Sequence, residues 1–253
     1  MNAVGGESAA GLQTAGESST GRNAASVSTA GQSEQSGQSE PVKAVLSFSS
    51  FDGGGHEYSV KIGDPEILSC TGERDYGEPS EEPIDGASYW MIFTFSGLKP
   101  GTTTVSVYGR SPISENDDSI YTAVVDEDLN VTLKAVRSIS TFFIYRDADI
   151  SCNTYKISLS MDGYRVSVND GEEQYIDEKS VEALMDVIDK YNVEEWNGFS
   201  ESERHGPVEE SFLLEVRLTD GTYIRARGDN VFPENYEPAI KEMQEILDHA
   251  SIR

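Results

Sequence analysis

From Val42 to Ala135 the chain is built of short runs of β-branched and aromatic residues punctuated by turn residues, and no sustained helical periodicity interrupts them. The runs cover 42–48, 56–62, 66–70, 88–95, 102–108, 119–125 and 130–134. Between them stand Asp52-Gly53-Gly54-Gly55, Gly63-Asp64-Pro65, Lys99-Pro100-Gly101 and Asp126-Glu127-Asp128, which supply the backbone freedom and side-chain bonds that turns need. Within the fourth run Met91, Phe93 and Phe95 alternate with Ile92, Thr94 and Ser96, so one face is set for a core that Val105 and Val107 continue. Roughly seven such strands with short connections predict an immunoglobulin-like β-sandwich over residues 41–136.

The pattern changes near Ser138. Phe142-Phe143-Ile144-Tyr145 reads as an entering strand, and the alternating run 155–161 turns at Asp162-Gly163 and returns through 164–168. An Asp-Gly pair between alternating runs predicts a hairpin with a type I′ turn. Asp177 is placed to cap a helix to about Tyr191, with Val181, Leu184, Met185, Ile188 and Tyr191 on one face. The same order then recurs. Phe212, Leu214, Val216 and Leu218 alternate, Asp220-Gly221 turns, 222–227 returns, and a helix from about Asn235 carries Ile240, Met243 and Leu247 on one side. Pro238 suits its first turn, Asn235 is its expected cap, and Phe232 with Tyr236 is expected to staple the strand-to-helix corner. Two ββα units over 138–253 predict an α+β domain, with an antiparallel sheet of four or five strands and both helices on one face. The fold class is therefore mainly β plus α+β.

Residues 1–40 are rich in Gly, Ser, Ala, Gln and Thr, with only isolated Val and Leu, too little apolar area to offset the entropy of ordering. They are expected to form a disordered tether of the kind that separates a membrane anchor from a folded ectodomain, which places the protein at the cell surface, lipid-anchored or secreted. No apolar stretch approaches the length of a membrane span, so the chain is anchored near a membrane without spanning it as given. Lys and Arg number 19 against 45 Asp and Glu, a formal charge of −26. A polyanion of this size is repelled by phosphate backbones, which excludes nucleic acid as a partner.

The run from Tyr89 through Met91-Ile92-Phe93-Thr94-Phe95-Ser96-Gly97-Leu98-Lys99-Pro100-Gly101 and Thr102-Thr103-Thr104-Val105 to Gly109-Arg110-Ser111-Pro112 resembles the central part of the chagasin-type inhibitors of papain-like cysteine peptidases. Upstream, Gly53-Gly54-Gly55-His56-Glu57-Tyr58 stands where that family has its first loop, and the likeness covers about 42–135. The resemblance implies a β-sandwich whose three loops at one end wedge into a peptidase cleft without offering a cleavable bond. Carried over by position, the loops are 51–56, 84–89 and 109–116, with Gly53, Gly54, Gly55, His56, Gly86, Ser88, Arg110 and Pro112 as the peptidase-binding residues. This sequence departs from the family's pattern at each loop. Glycine replaces the first loop's threonines, the middle loop keeps Gly86 without a second glycine, and Ser111 stands in a proline's place with no tryptophan after it. As exposed loop tips contribute little to stability, Arg110→Glu and removal of Gly53–Gly55 are expected to spare the melting temperature. The stretch Gly228-Asp229-Asn230-Val231-Phe232-Pro233 resembles a tail motif of uncharacterised exported proteins of Gram-positive anaerobes, and implies no activity.

No catalytic constellation is legible. His56, His205 and His249 have no partner at ligand spacing, and Cys70 and Cys152 lack zinc-site spacing, leaving them either to pair with each other or to stay two buried thiols. Asp126-Glu127-Asp128 opens like a calcium loop, but Val131 and Arg137 fall at its sixth and twelfth positions. The clusters Glu115, Asp117 and Asp118, and Asp147 and Asp149, leave room only for a weak surface calcium. The expectation is a monomeric, non-enzymatic protein without cofactor or resident metal, which binds a protein partner of the cysteine-peptidase class. The alternative is a cell-surface accessory or adhesion module with the sandwich as a spacer.

Overall fold

The computed structural model describes residues 26–30, 40–77, 86–148, 151–203 and 208–250, with Ser26–Ala30, Ala148 and 151–153 described in their backbone only. The first half is composed of β1 (Ser26–Ala30), β2 (Lys43–Phe51), β3 (Glu57–Ile62), β4 (Leu68–Asp75), β5 (Ser88–Gly97), β6 (Gly101–Arg110), β7 (Asp117–Val125) and β8 (Val131–Val136). They make two four-stranded antiparallel sheets, ordered β1-β2-β5-β4 and β3-β6-β7-β8. The alternation of β2 and β5 is what joins the sheets: Leu46, Phe48, Phe93 and Phe95 from one meet Val105, Val107, Tyr121 and Ala123 from the other in a single buried cluster.

β1 falls inside the expected tether. Ser26–Ala30 pairs antiparallel with Lys43–Ser47 of β2, so this piece of the arm is an edge strand and not free chain. The rest of the arm before Glu40 lies outside the described residues.

The second half continues with β9 (Ile139–Ala148), β10 (Ser151–Ser160), β11 (Gly163–Val168), β12 (Gln174–Ile176), helix α1 (Glu178–Lys190), a 3₁₀ turn at Val193–Trp196, β13 (Ser200–Ser202), β14 (Glu210–Leu218), β15 (Tyr223–Asp229) and helix α2 (Tyr236–His249). The sheet is larger than expected: seven strands in the order β12-β11-β10-β9-β14-β15-β13, the last pairing parallel. The two extra edges, β12 and β13, are three-residue strands too short to show an alternating pattern. Both helices contribute to one buried cluster with the sheet, through Val181, Leu184 and Ile188 of α1 and Ala239, Ile240 and Met243 of α2. The described residues thus form a β-rich α+β protein with three sheets and two helices.

Local chemistry explains the boundaries. Asp177 is extended and its side chain accepts from the Ser180 N–H at 3.0 Å, which caps α1 as expected. Asn235 does not cap α2. It sits in the left-handed region (φ 61°) with no side-chain cap bond, and α2 is anchored instead by Phe232 stacked on Tyr236 with ring centroids 4.5 Å apart. The Asp-Gly hairpins are also not type I′. In the first, Ser160 pairs with Gly163, leaving Met161 and Asp162 at the tip without positive φ, and Gly163 alone (φ 116°) takes that role. In the second, the Gly221 N–H bonds to Leu218 O and the Leu218 N–H to Thr222 O, a type I turn followed by a left-handed glycine.

The halves are not separate beads. Tyr108 of β6 is part of the second half's core, and Ile120 of β7 packs against it. Thr219 ties the connector down, its hydroxyl accepting from the Ser138 N–H at 2.9 Å and donating to Val136 O at 2.7 Å.

Candidate functional site

The loop joining β2 and β3 is dictated by its glycines. Gly53 has φ 86°, and a Cβ on Gly55 would lie 2.5 Å from Phe51 N and 2.6 Å from Phe51 O, closer than real side chains stand. The loop folds back on itself through Gly55 N–H to Phe51 O (3.0 Å) and the Ser50 hydroxyl to His56 O (2.8 Å).

Around it the other two loops gather. The Asp52 N–H donates to Ala87 O at 3.0 Å, which brings in the described part of the middle loop: exposed Gly86 (φ 80°), Ala87, and exposed Ser88 paired with Phe51. Residues 84 and 85 of that loop lie outside the described residues. From the third loop the Ser111 hydroxyl donates to Gly54 O at 2.9 Å, and His56 Nε2 donates to Glu115 O at 2.7 Å. The expected residues Gly53, Gly54, Gly55, His56, Gly86, Ser88, Arg110 and Pro112 thus share one end of the paired sheets.

This end holds an open depression of about 500 Å³ lined by Gly53, Arg74, Tyr89, Arg110 and Pro112, and a second of about 220 Å³ lined by His56, Ile113 and Ser114. Phe51, Gly54 and Gly55 line both. Large apolar side chains stand in water here: Ile113 is 73% exposed, Tyr76 49%, Trp90 47% and Phe51 44%. None was singled out from the sequence, since an outward aromatic on a strand and an inward one look alike until the sheet is paired. Arg74 was missed because β4 runs to Asp75, past the end expected for that strand. Register sets Arg74 opposite Met91, its guanidinium 4.9 Å over the Tyr89 ring and 3.7 Å from the Asp52 carboxylate.

Arg110 is more than a surface charge. Nη1 pairs with the Asp118 carboxylate, Nη2 donates to Leu159 O of β10 at 3.1 Å, and Asp118 also accepts from the Ser140 hydroxyl at 2.9 Å. Burial pushes the Asp118 carboxyl above its ordinary value, while Arg110 and Ser140 pull it down.

The carboxylates first read as a weak calcium cluster are committed elsewhere. Glu115 pairs with Arg217, Asp117 accepts from Tyr58 OH at 2.7 Å, and Asp118 is held as above. Asp147 accepts from Tyr145 OH at 3.3 Å, and Asp149 lies outside the described residues. Among the described residues no group of three His, Cys, Asp or Glu side chains is arranged to hold a metal ion. Ser114 Oγ stands 3.3 Å from His56 Nε2, but that nitrogen carries the proton given to Glu115 O, so it has no lone pair with which to activate the hydroxyl. Cys70 is a free thiol, and burial pushes it up to about 11. Among the described residues no helix is long and apolar enough to cross a membrane.

What the arrangement offers is contact: small residues between two depressions, with Phe51 and Ile113 lying over Gly54 and the backbone open at Gly53. Comparison of the chain with protein-family models, with curated proteins and with solved structures gave no match.

Proposed function

We propose that this is an exported, non-enzymatic binding protein, and that the end of the paired sheets formed by loops 51–56, 86–89 and 109–116 is its protein-binding surface, with papain-like cysteine peptidases as the partner class. The observation that carries this reading is convergence. Three segments distant in sequence are hydrogen-bonded into one surface, through Asp52 to Ala87, Ser111 to Gly54 and His56 to Glu115. Phe51, Tyr76, Trp90 and Ile113 give it the exposed apolar content from which interface anchors are drawn, and Tyr, Trp and Arg are the residue types that dominate binding energy. In the third loop Pro112 holds the position of the chagasin-type tryptophan, and the next residue, Ile113, offers an apolar tip of a different shape. An immunoglobulin-like plan for the paired sheets and a position outside the cell belong to the same reading, supported by the resemblance over 42–135 and by the polar composition of residues 1–40.

The test is titration of a panel of papain-like peptidases with the purified protein. Reversible inhibition that competes with substrate, without cleavage of the protein, is the expected result, and Ile113→Asp should weaken it at least about tenfold. No inhibition or binding across the panel would refute the peptidase reading and favour an accessory module with the paired sheets as a spacer.

A further inference from the structure

The third loop is held at both ends by the opposite half of the molecule. At its start, Arg110 reaches Leu159 O of β10, and its partner Asp118 accepts the hydroxyl of Ser140 in β9. Near its end, Glu115 pairs with Arg217 of β14, whose guanidinium is itself set 4.9 Å over the Tyr223 ring. Beside these, Lys61 Nζ donates to Met161 O at 2.6 Å, and Tyr108, two residues before Arg110, is buried in the second half's core.

Inside the loop the bonds are those of one hydroxyl, Ser111 Oγ accepting from the N–H groups of Ile113 and Ser114, both at 3.2 Å. Its ties to the first loop, Ser111 Oγ to Gly54 O and His56 Nε2 to Glu115 O at 2.7 Å, reach a segment that is itself a glycine-built loop and not the body of a sheet. The third loop's largest apolar side chain, Ile113, points into water. Fixing such a segment costs backbone entropy at every residue, and a loop ordered only on binding loses that amount from its affinity.

We propose that the α+β half is a positioning domain for the binding surface: Ser140 and Arg217 act as positioning residues that fix residues 111–116 through Asp118–Arg110 and Glu115, so partner binding and the junction between the halves are coupled. The identity of the partner rests on the function proposed above; the fixing of the loop does not. Coupling is reciprocal, so a ligand that uses the ordered loop must also tighten the junction.

Hydrogen exchange on the full chain, read by mass spectrometry, tests the fixing without any partner. In Arg217→Ala and Ser140→Ala the amides of Ser111 and 113–116 should exchange at least about tenfold faster than in the parent. Arg217→Lys, which keeps the charge facing Glu115, should restore part of the protection. Arg225→Ala, which removes an exposed ion pair with Glu215 on the neighbouring strand, should leave the loop unchanged. Circular dichroism identifies any variant that has lost the fold, and the conservative Ser140→Ala and Arg217→Lys keep the test decisive if Arg217→Ala is one of them. Unchanged exchange at 111–116 in Ser140→Ala and in whichever Arg217 variants fold would overturn the proposal. A second arm measures affinity for a peptidase inhibited by the parent, where Arg217→Ala should lower the association rate about tenfold; equal rates would sink the coupling. Should no peptidase bind, the partner assignment fails, and the exchange data still decide the loop.

Discussion

Asp118 and Arg110 form an ion pair of unequal exposure: the carboxylate has no solvent contact, while the guanidinium keeps 38% of its side-chain surface in water. The pair lies where β6 and β7 meet the second half, so the arginine expected to stand free on a loop tip is part of the join. Its loss would strand a buried carboxylate, which is costlier than the pair is favourable.

Arg110→Ala should therefore destabilise the protein by roughly 2–4 kcal/mol, at the lower side of buried-pair losses because Arg110 is partly solvated. Urea denaturation measures this, and Arg110→Ala with Asp118→Asn should recover much of the loss. A melting temperature unmoved by Arg110→Ala, as the sequence alone suggests, would show the pair to be idle.

The same carboxylate sets a pH dependence. Its folded value is raised above the ordinary 3.8, so between the two values the folded state binds more protons than the unfolded one. Its contribution to stability is thus lost as pH rises through that interval and gained as pH falls through it. The stability of the parent relative to Asp118→Asn should increase from pH 7 toward pH 4. A gap that shrinks on acidification would mean that the pull of Arg110 and Ser140 outweighs burial.

The first loop separates two demands on glycine. Gly55→Ala drives a Cβ into the Phe51 backbone and should cost on the order of 1–3 kcal/mol, the usual range for overpacking. Gly53→Ala meets no atom within 4 Å and should cost only the left-handed penalty of about 1 kcal/mol. Equal losses in thermal melts would contradict the loop geometry.

At pH 8, with Cys152 replaced by serine, Cys70 should react with a disulfide reagent about two orders of magnitude more slowly than a free thiol, because little of it is thiolate. Rapid labelling would place Cys70 in a different environment.

Calcium and sodium at matched ionic strength should raise the melting temperature alike, by screening the repulsion of a chain at −26. A calcium-specific rise would require carboxylates other than those already paired with Arg110, Arg217 and Tyr58.

Much of this protein was legible locally. Alternation in β5 and β14, the Asp177 cap of α1 and the Phe232–Tyr236 staple depend on residues within a few positions of each other, and propensity and side-chain period act on that scale. Turn type was less so, because an Asp-Gly pair fits two hairpins that differ by one residue of register, and pairing partners decide between them. Only the tertiary structure decided which outward aromatics face water, that β4 carries Arg74 to the Tyr89 ring, and that Asp118 is buried under Ser140. Those facts depend on which strands lie side by side and how the two halves pack. Burial then separates carboxylates that composition counts as equal, turning Asp118 into a joint while its neighbour Asp117 holds a tyrosine hydroxyl.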